Sequence, residues 1–181
     1  SRSITDDWYV WHQSFSNQQR NYLLLNSTAA VTLSGNDSWG AGMTSSVIGF
    51  RSTGIANGNM VAYVFSPVSG YSSFGSYTGN GSTDGPFVYT GFRPRWVMVK
   101  VSSASGYDWL LFDSARDTYN AAQLNLRPNL SIAESSQSAN LIDFLSNGFK
   151  LRGNSDGSVN PSQTLIYAAF AESPFQYARA R

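Results

Sequence analysis

The chain states one pattern twice. "DDWYVWH" at Asp6–His12 returns as "YDWLLFD" at Tyr107–Asp113, and "SSVIGFRSTGIANG" at Ser45–Gly58 returns as "FLSNGFKLRGNSDG" at Phe144–Gly157. "AYVFSPVSGYSSFG" at Ala62–Gly75 returns as "YAAFAESPFQYARA" at Tyr167–Ala180. Trp8 and Trp109, Phe50 and Phe149, and Phe65 and Phe170 stand 101, 99 and 105 positions apart. Matched order at a near-constant offset marks an internal duplication, which constrains the whole fold rather than one element. The second copy holds a segment with no counterpart in the first, "SYTGNGSTDGPFVYTGFRPRWVMVKV" at Ser76–Val101. The expectation is a chain that starts inside a longer polypeptide, with a first copy that takes strands from outside it or from a neighbouring copy. The repeats divide at residues 1–74, N-terminally incomplete, and 75–181, complete. No Pro-rich or charged linker separates them, so they are expected to pack closely, as two units or as halves of one sandwich.

The periodicity is that of strands. "WVMVKV" places Val97, Val99 and Val101 on one face and Trp96, Met98 and Lys100 on the other. "DWLLFD" and "TLIYAAF" are continuously apolar, as expected of central strands covered on both sides. "NYLLLN", "SSVIGF", "MVAYVF", "FVYTGF" and "FKLRG" are further short strands, set apart by Gly-, Asn-, Asp- and Ser-rich turns. No amphipathic helix of useful length appears. The expected fold is all-β, an antiparallel β-sandwich with an internal pseudo-repeat. Its expected core is Trp96, Val97, Val99, Trp109, Leu111, Phe144, Phe149, Ile166 and Phe170, with first-copy counterparts Trp8, Val10, Phe50, Val61 and Phe65.

Charge and chemistry exclude more than they assign. The net charge of +1 provides no basic field for phosphates, so nucleic acid is not an expected partner. There is no Cys, hence no disulfide and no thiolate metal site. No apolar run approaches a membrane span. The single His12 lacks a spaced nucleophile and acid, so it reads as a polar residue at a strand end. The two Glu, Glu134 and Glu172, and the Asp108/Asp113 spacing do not form the facing pair that a glycosidase needs. "GNGSTDG" at Gly79–Gly85 lacks the lysine of a phosphate loop and reads as a turn. No catalytic residue and no cofactor are expected. Asn36 with Asp37, Asn80 with Asp84 and Asn154 with Asp156 are minor Ca²⁺ alternatives, with no preferred position. The Asn-x-Ser/Thr sequons at Asn26, Asn36, Asn80 and Asn129 read as accidents of composition.

The aromatic residues are the remaining binding candidates, at 14% of the chain. Trp39, in "GNDSWGAG", reads as a loop tryptophan with no strand to hide it, beside Asn36 and Asp37. Tyr71, Phe74 and Tyr77 crowd the repeat junction among Ser and Gly. Exposed rings beside amides and carboxylates suit a sugar, whose C–H faces stack while polar groups take hydroxyls. The competing reading packs the same rings against the sister repeat or another subunit.

Three strings, "GYSSFGSYTGNGSTDGPFVYTGFRP", "IDFLSNGFKLRG" and "IYAAFAESPFQYARAR", resemble a duplicated domain of unknown function from tailed-bacteriophage tail fibres and other virion proteins. That domain is grouped with concanavalin A-like (laminin-G-like) jelly rolls. The resemblance covers nearly all of the chain, and its ending looks like a true C-terminus. It implies a virion structural module at the phage tail or particle surface, oligomeric with a trimer favoured. The implied activity is adhesion to a host-surface glycan or protein by multivalent binding, without catalysis. The alternative is a purely architectural domain that decorates a capsid or builds a fibre, and a glycan-degrading enzyme stands third.

Overall fold

A computed structural model describes residues 5–35, 38–40, 43–44, 46–50 and 59–173. Among the described residues every regular element is a strand, and every pairing is antiparallel. The central sheet has four strands in the order β4 (Ser72–Thr78), β12 (Thr164–Ala171), β6 (Pro94–Val101) and β7 (Leu110–Asp113). A three-stranded sheet faces it: β10 (Ile142–Leu145), β11 (Gly148–Leu151) and β5 (Phe87–Tyr89). A second three-stranded sheet consists of β1 (Tyr9–Val10), β2 (Asn21–Leu24) and β3 (Thr32–Leu33). A small ribbon pairs β8 (Leu124–Asn125) with β9 (Ser135–Ser136). Bridges Leu111–Leu126 and Ala122–Ile142 link the segment around β8 to both large sheets and close one side of the sandwich.

The period of two decides the layering. Val97 and Val99 of β6, Leu110 and Phe112 of β7, and Tyr167 and Ala169 of β12 point to one face. There they meet Val88, Ile142, Phe144, Phe149 and Leu151 of the opposite sheet in the main core. Each fully buried side chain of this kind contributes about 1.5–3 kcal/mol. Gly75 sits opposite Tyr167, and a Cβ there would lie 2.9 Å from the Tyr167 ring. The missing side chain lets that ring lie flat enough to reach Ser73 Oγ, 3.1 Å from its hydroxyl.

Among the described residues, the other face of the central sheet is packed over at one end by the first copy's strands. Ile166 and Met98 lie under the first copy, against Phe15, Leu23 and Trp109, with Val10, Leu25 and Val31 packed around them. Trp109 donates its indole N–H to Leu24 O at 2.9 Å, and Val31 N–H donates to Ser102 O at 2.8 Å. His12 is buried and its Nε2 lies 3.2 Å from Tyr167 O, while its Nδ1 accepts from Ser14 N–H at 3.2 Å. Lys100, fully buried, donates to Val101 O at 2.9 Å, Tyr107 O at 3.0 Å and Thr28 O at 3.4 Å. The first copy therefore docks as a third layer on the sandwich of the second. The seam at Gly75 falls inside β4.

Several expected core residues are not in the core. Trp8, Phe50, Val61 and Phe65 are exposed, at 58%, 40%, 48% and 63%. Trp96, Leu111, Phe170 and Val10 are only half-buried. Among the described residues "MVAYVF" forms no strand, and "SSVIGF" contributes the bridge Ile48 to Met43. The reason is common to these first-copy residues. A strand buries its apolar face only against a partner layer, and among the described residues the first copy shows the three short strands β1–β3 where the second has two sheets.

Candidate binding surface

The end of the outer face beyond β1–β3 carries an aromatic cluster built on strand register. Phe170 of β12 lies opposite Ser72 of β4 on one side and Trp96 of β6 on the other, all on the outer face. The Phe170 ring meets Trp96 at 5.4 Å, Phe65 at 5.6 Å, Phe74 at 5.8 Å and Tyr71 at 6.0 Å, each edge to face. Such geometry places ring edges against ring faces, each pair adding about 0.5–1.5 kcal/mol beyond its buried area. The turn ending at Tyr71 is held by Tyr71 N–H to Val68 O at 2.9 Å and by Ser72 Oγ donating to Ser66 O at 2.8 Å. Ala171 N–H donates to Tyr71 O at 2.8 Å, which fastens that turn to the end of β12.

Charge rims this apolar centre. Glu172 follows β12 directly, its N–H donates to Arg93 O at 2.9 Å, and its carboxylate takes Arg93 Nε at 2.7 Å. Both side chains stay open to solvent. Asp113, opposite Trp96 in the ladder, bonds Arg116, which also reaches Glu134 at 3.1 Å. Burial opposes ionisation of Asp113, but the Arg116 guanidinium and backbone N–H outweigh it and hold the carboxyl below its usual value. The surface is thus a ring-lined patch bordered by fixed donors and acceptors.

The six sequence candidates separate. Tyr71 and Phe74 come together in this cluster. Tyr77 faces the other way, packs on Phe149 at 6.2 Å and donates its hydroxyl to Val159 O at 2.7 Å. Burial pushes its phenol well above the ordinary value, and it serves the core. Trp39 is a correction: it is buried at 4% exposure, with its indole N–H on Asn21 O at 2.8 Å and its backbone N–H on Gln19 O at 3.0 Å. The loop folds back on β2, so the indole packs there instead of facing solvent. Asn36 and Asp37 lie outside the described residues.

Sequence reasoning placed Phe65, Trp96 and Phe170 in the core, weighed Glu172 only as a glycosidase acid and did not single out Arg93. The parity of "WVMVKV" already separates Trp96 from the valines. Only the partial cover of the outer face shows that this parity leads to the surface.

The other candidates are occupied within the protein. Asp84 takes Lys150 at 2.8 Å, and that hydrogen bond holds its carboxyl below the usual value. Asn80 Oδ1 accepts from Ser82 N–H at 3.0 Å and from Asn160 Nδ2 at 2.9 Å. Asn154 Oδ1 accepts from Asp156 N–H at 3.0 Å. Among the described residues no three His, Asp or Glu gather as metal ligands. A cleft of about 270 Å³ between the first copy and the central sheet is lined by hydroxyls, Asn21, Phe15 and Val31, with no ionisable side chain.

No curated protein and no solved structure matches the chain. One family model matches residues 1–174, nearly the whole length. The chain belongs to the family described as the domain of unknown function DUF7483.

Proposed function

We propose that the protein is a virion structural module of a tailed bacteriophage that binds a host-surface glycan or protein through the aromatic patch around Phe170. The phage assignment rests on the three strings quoted above and on the concanavalin A-like character they imply. The binding assignment rests on one observation: five partly exposed aromatic rings gather on one end of a sheet, rimmed by the exposed Arg93–Glu172 pair. Rings in that setting stack on sugar C–H faces or on a partner's apolar side chains, while the guanidinium and carboxylate take hydroxyls. No catalytic role is assigned to it. Several weak sites on one oligomeric particle act together by effective concentration, and a trimer is the expected arrangement.

The test is binding of the purified protein to host cells and a glycan array, with Tyr71→Ala and Arg93→Ala beside the unsubstituted chain. Binding reduced at least about tenfold in both variants, with unchanged melting, supports the reading. Unchanged binding in both moves the site away from the patch. No binding to any cell or glycan leaves the architectural alternative in its place.

A further inference from the structure

One buried row of the first copy carries an amide. β2 buries Asn21 and Leu23 on the same face and leaves Tyr22 and Leu24 half-buried. Leu23 belongs to the smaller core with Ile166 and Trp109. Asn21, one step along that row, is 7% exposed and lines the cleft between the first copy and the central sheet. Its Nδ2 donates to Ser16 Oγ at 3.3 Å, and its Oδ1 has no partner among the described residues. A buried amide costs stability unless its hydrogen bonds are met, so this one suits a polar group that enters from the cleft.

The rest of the lining agrees. Ser102, equally buried, gives its hydroxyl proton to Thr164 O at 3.0 Å and keeps lone pairs to accept with. Ser14, Ser16 and Thr164 stand exposed at the rim. Ser16 Oγ accepts from Asn21 and so has its proton to give. No bond among the described residues engages the hydroxyls of Ser14 and Thr164. Phe15 and Val31 supply apolar wall, and no charged side chain lines the cleft.

The walls are set before anything binds. Val31 N–H donates to Ser102 O at 2.8 Å, and Ser102 N–H donates to Thr164 O at 2.9 Å. Ser103 Oγ accepts from Thr164 N–H at 3.0 Å. An occupant therefore does not have to order them, which lowers the entropy lost on binding.

We propose that this cleft binds one neutral sugar ring. A sugar carries hydroxyls that donate and accept at once, and a C–H face that lies on an apolar wall. The lining offers partners for both. Without a counter-charge it does not compensate an anion or a cation stripped of water. The volume, about 270 Å³, lies just under the roughly 300–1,000 Å³ of small-molecule pockets, which limits the occupant to a single ring. The cleft stands apart from the aromatic patch, since Thr164 and Phe170 lie at opposite ends of β12, about 20 Å apart along the strand. A ring held there touches the first copy through Phe15 and Asn21 and the central sheet through Ser102 and Thr164. Its binding therefore also opposes separation of the layers.

The experiment titrates the isotope-labelled whole chain with D-glucose, D-galactose, D-mannose and L-rhamnose in turn, with glycerol as the control. At least one sugar is expected to shift the amide signals of Phe15, Asn21 and Ser103 saturably, with a millimolar Kd. The same sugar should leave Tyr71 and Phe170 unmoved and slow amide exchange at Leu23. Ser14→Ala combined with Thr164→Val is expected to weaken binding at least about tenfold with unchanged melting.

The proposal is overturned if no sugar gives saturable shifts at the cleft, if glycerol reproduces them at equal concentration, or if the double variant keeps full affinity. Tyr71→Ala and Arg93→Ala lie at the other end of the face and should leave the affinity of the cleft unchanged. Its failure and that of the adhesion reading are therefore separately visible.

Discussion

At the scale of the residue, two buried bases set the response to pH. Burial pushes the Lys100 ammonium down to about 8, with Asp108 pulling the other way, against 10.5 in the unfolded chain. The folded state therefore binds this proton less well, and stability rises as pH climbs through 8 towards 10. Denaturant titrations should show a gain of up to about 3 kcal/mol across that window, absent in Lys100→Met. His12 behaves analogously at lower pH. Burial lowers its pKa, the Tyr167 carbonyl opposes that, and Nδ1 already accepts a backbone N–H. Protonating Nδ1 would set two donors against each other. The unfolded chain takes the proton first, so stability is lost as pH falls below about 6.5. His12→Gln should flatten that acid limb in a melting series from pH 7.5 to 5. Neither burial is visible in the sequence, where Lys100 is one position in an alternating strand and His12 one polar residue among aromatics.

At the scale of the element, β12 and β6 show why a strand pattern underdetermines its surroundings. The inner face reads correctly from alternation, and Val97, Val99, Phe144 and Phe149 are buried as expected. The outer face is one row of apolar residues in sequence but two environments in space. Met98 and Ile166 lie under β1–β3 and the segments around them, whereas Phe170 packs beside Trp96 against Phe65, Tyr71 and Phe74. Trp109 is the clasp between layers, buried in the satellite core with its N–H on Leu24 O. Trp109→Ala is expected to cost about 3–5 kcal/mol. It should also release β1–β3 before the sandwich melts, seen as early loss of amide protection at Leu23. Asn160 plays the same part for loops: its Nδ2 bonds Ser82 O at 2.6 Å and Gly153 O at 3.0 Å, tying the turn before β5 to the one after β11. Asn160→Ala takes the Nδ2 donor from the buried Gly153 carbonyl and cuts the tie to Ser82, and a loss of about 1–3 kcal/mol by denaturant titration is the expected outcome.

At the scale of the whole molecule, the main core is complete within the second copy, and the satellite core is shared between copies. A chain covering only Val68–Ser173 should therefore fold, with native near-UV circular dichroism from the main core. It should also self-associate in sedimentation, because Met98, Ile166 and Trp109 lose their cover. A monomer of that chain would mean that the first copy contributes little cover. The repeated strings were legible in the sequence, but the arrangement of the segments that carry them was not. Among the described residues the copies stack as a sandwich and a third layer, because β1–β3 bury their apolar side chains against the outer face of the central sheet.

The sequence by itself determined the all-β class, the strand periods and most of the inner core, since these depend on local alternation and turn chemistry. Tertiary structure alone decided that Trp39 is buried, that Tyr77 serves the core, and that Phe170 and Trp96 border the surface. Which face of an apolar strand is covered, and along how much of its length, depends on the size and placement of the neighbouring layer. That is a long-range property which no window along the chain contains.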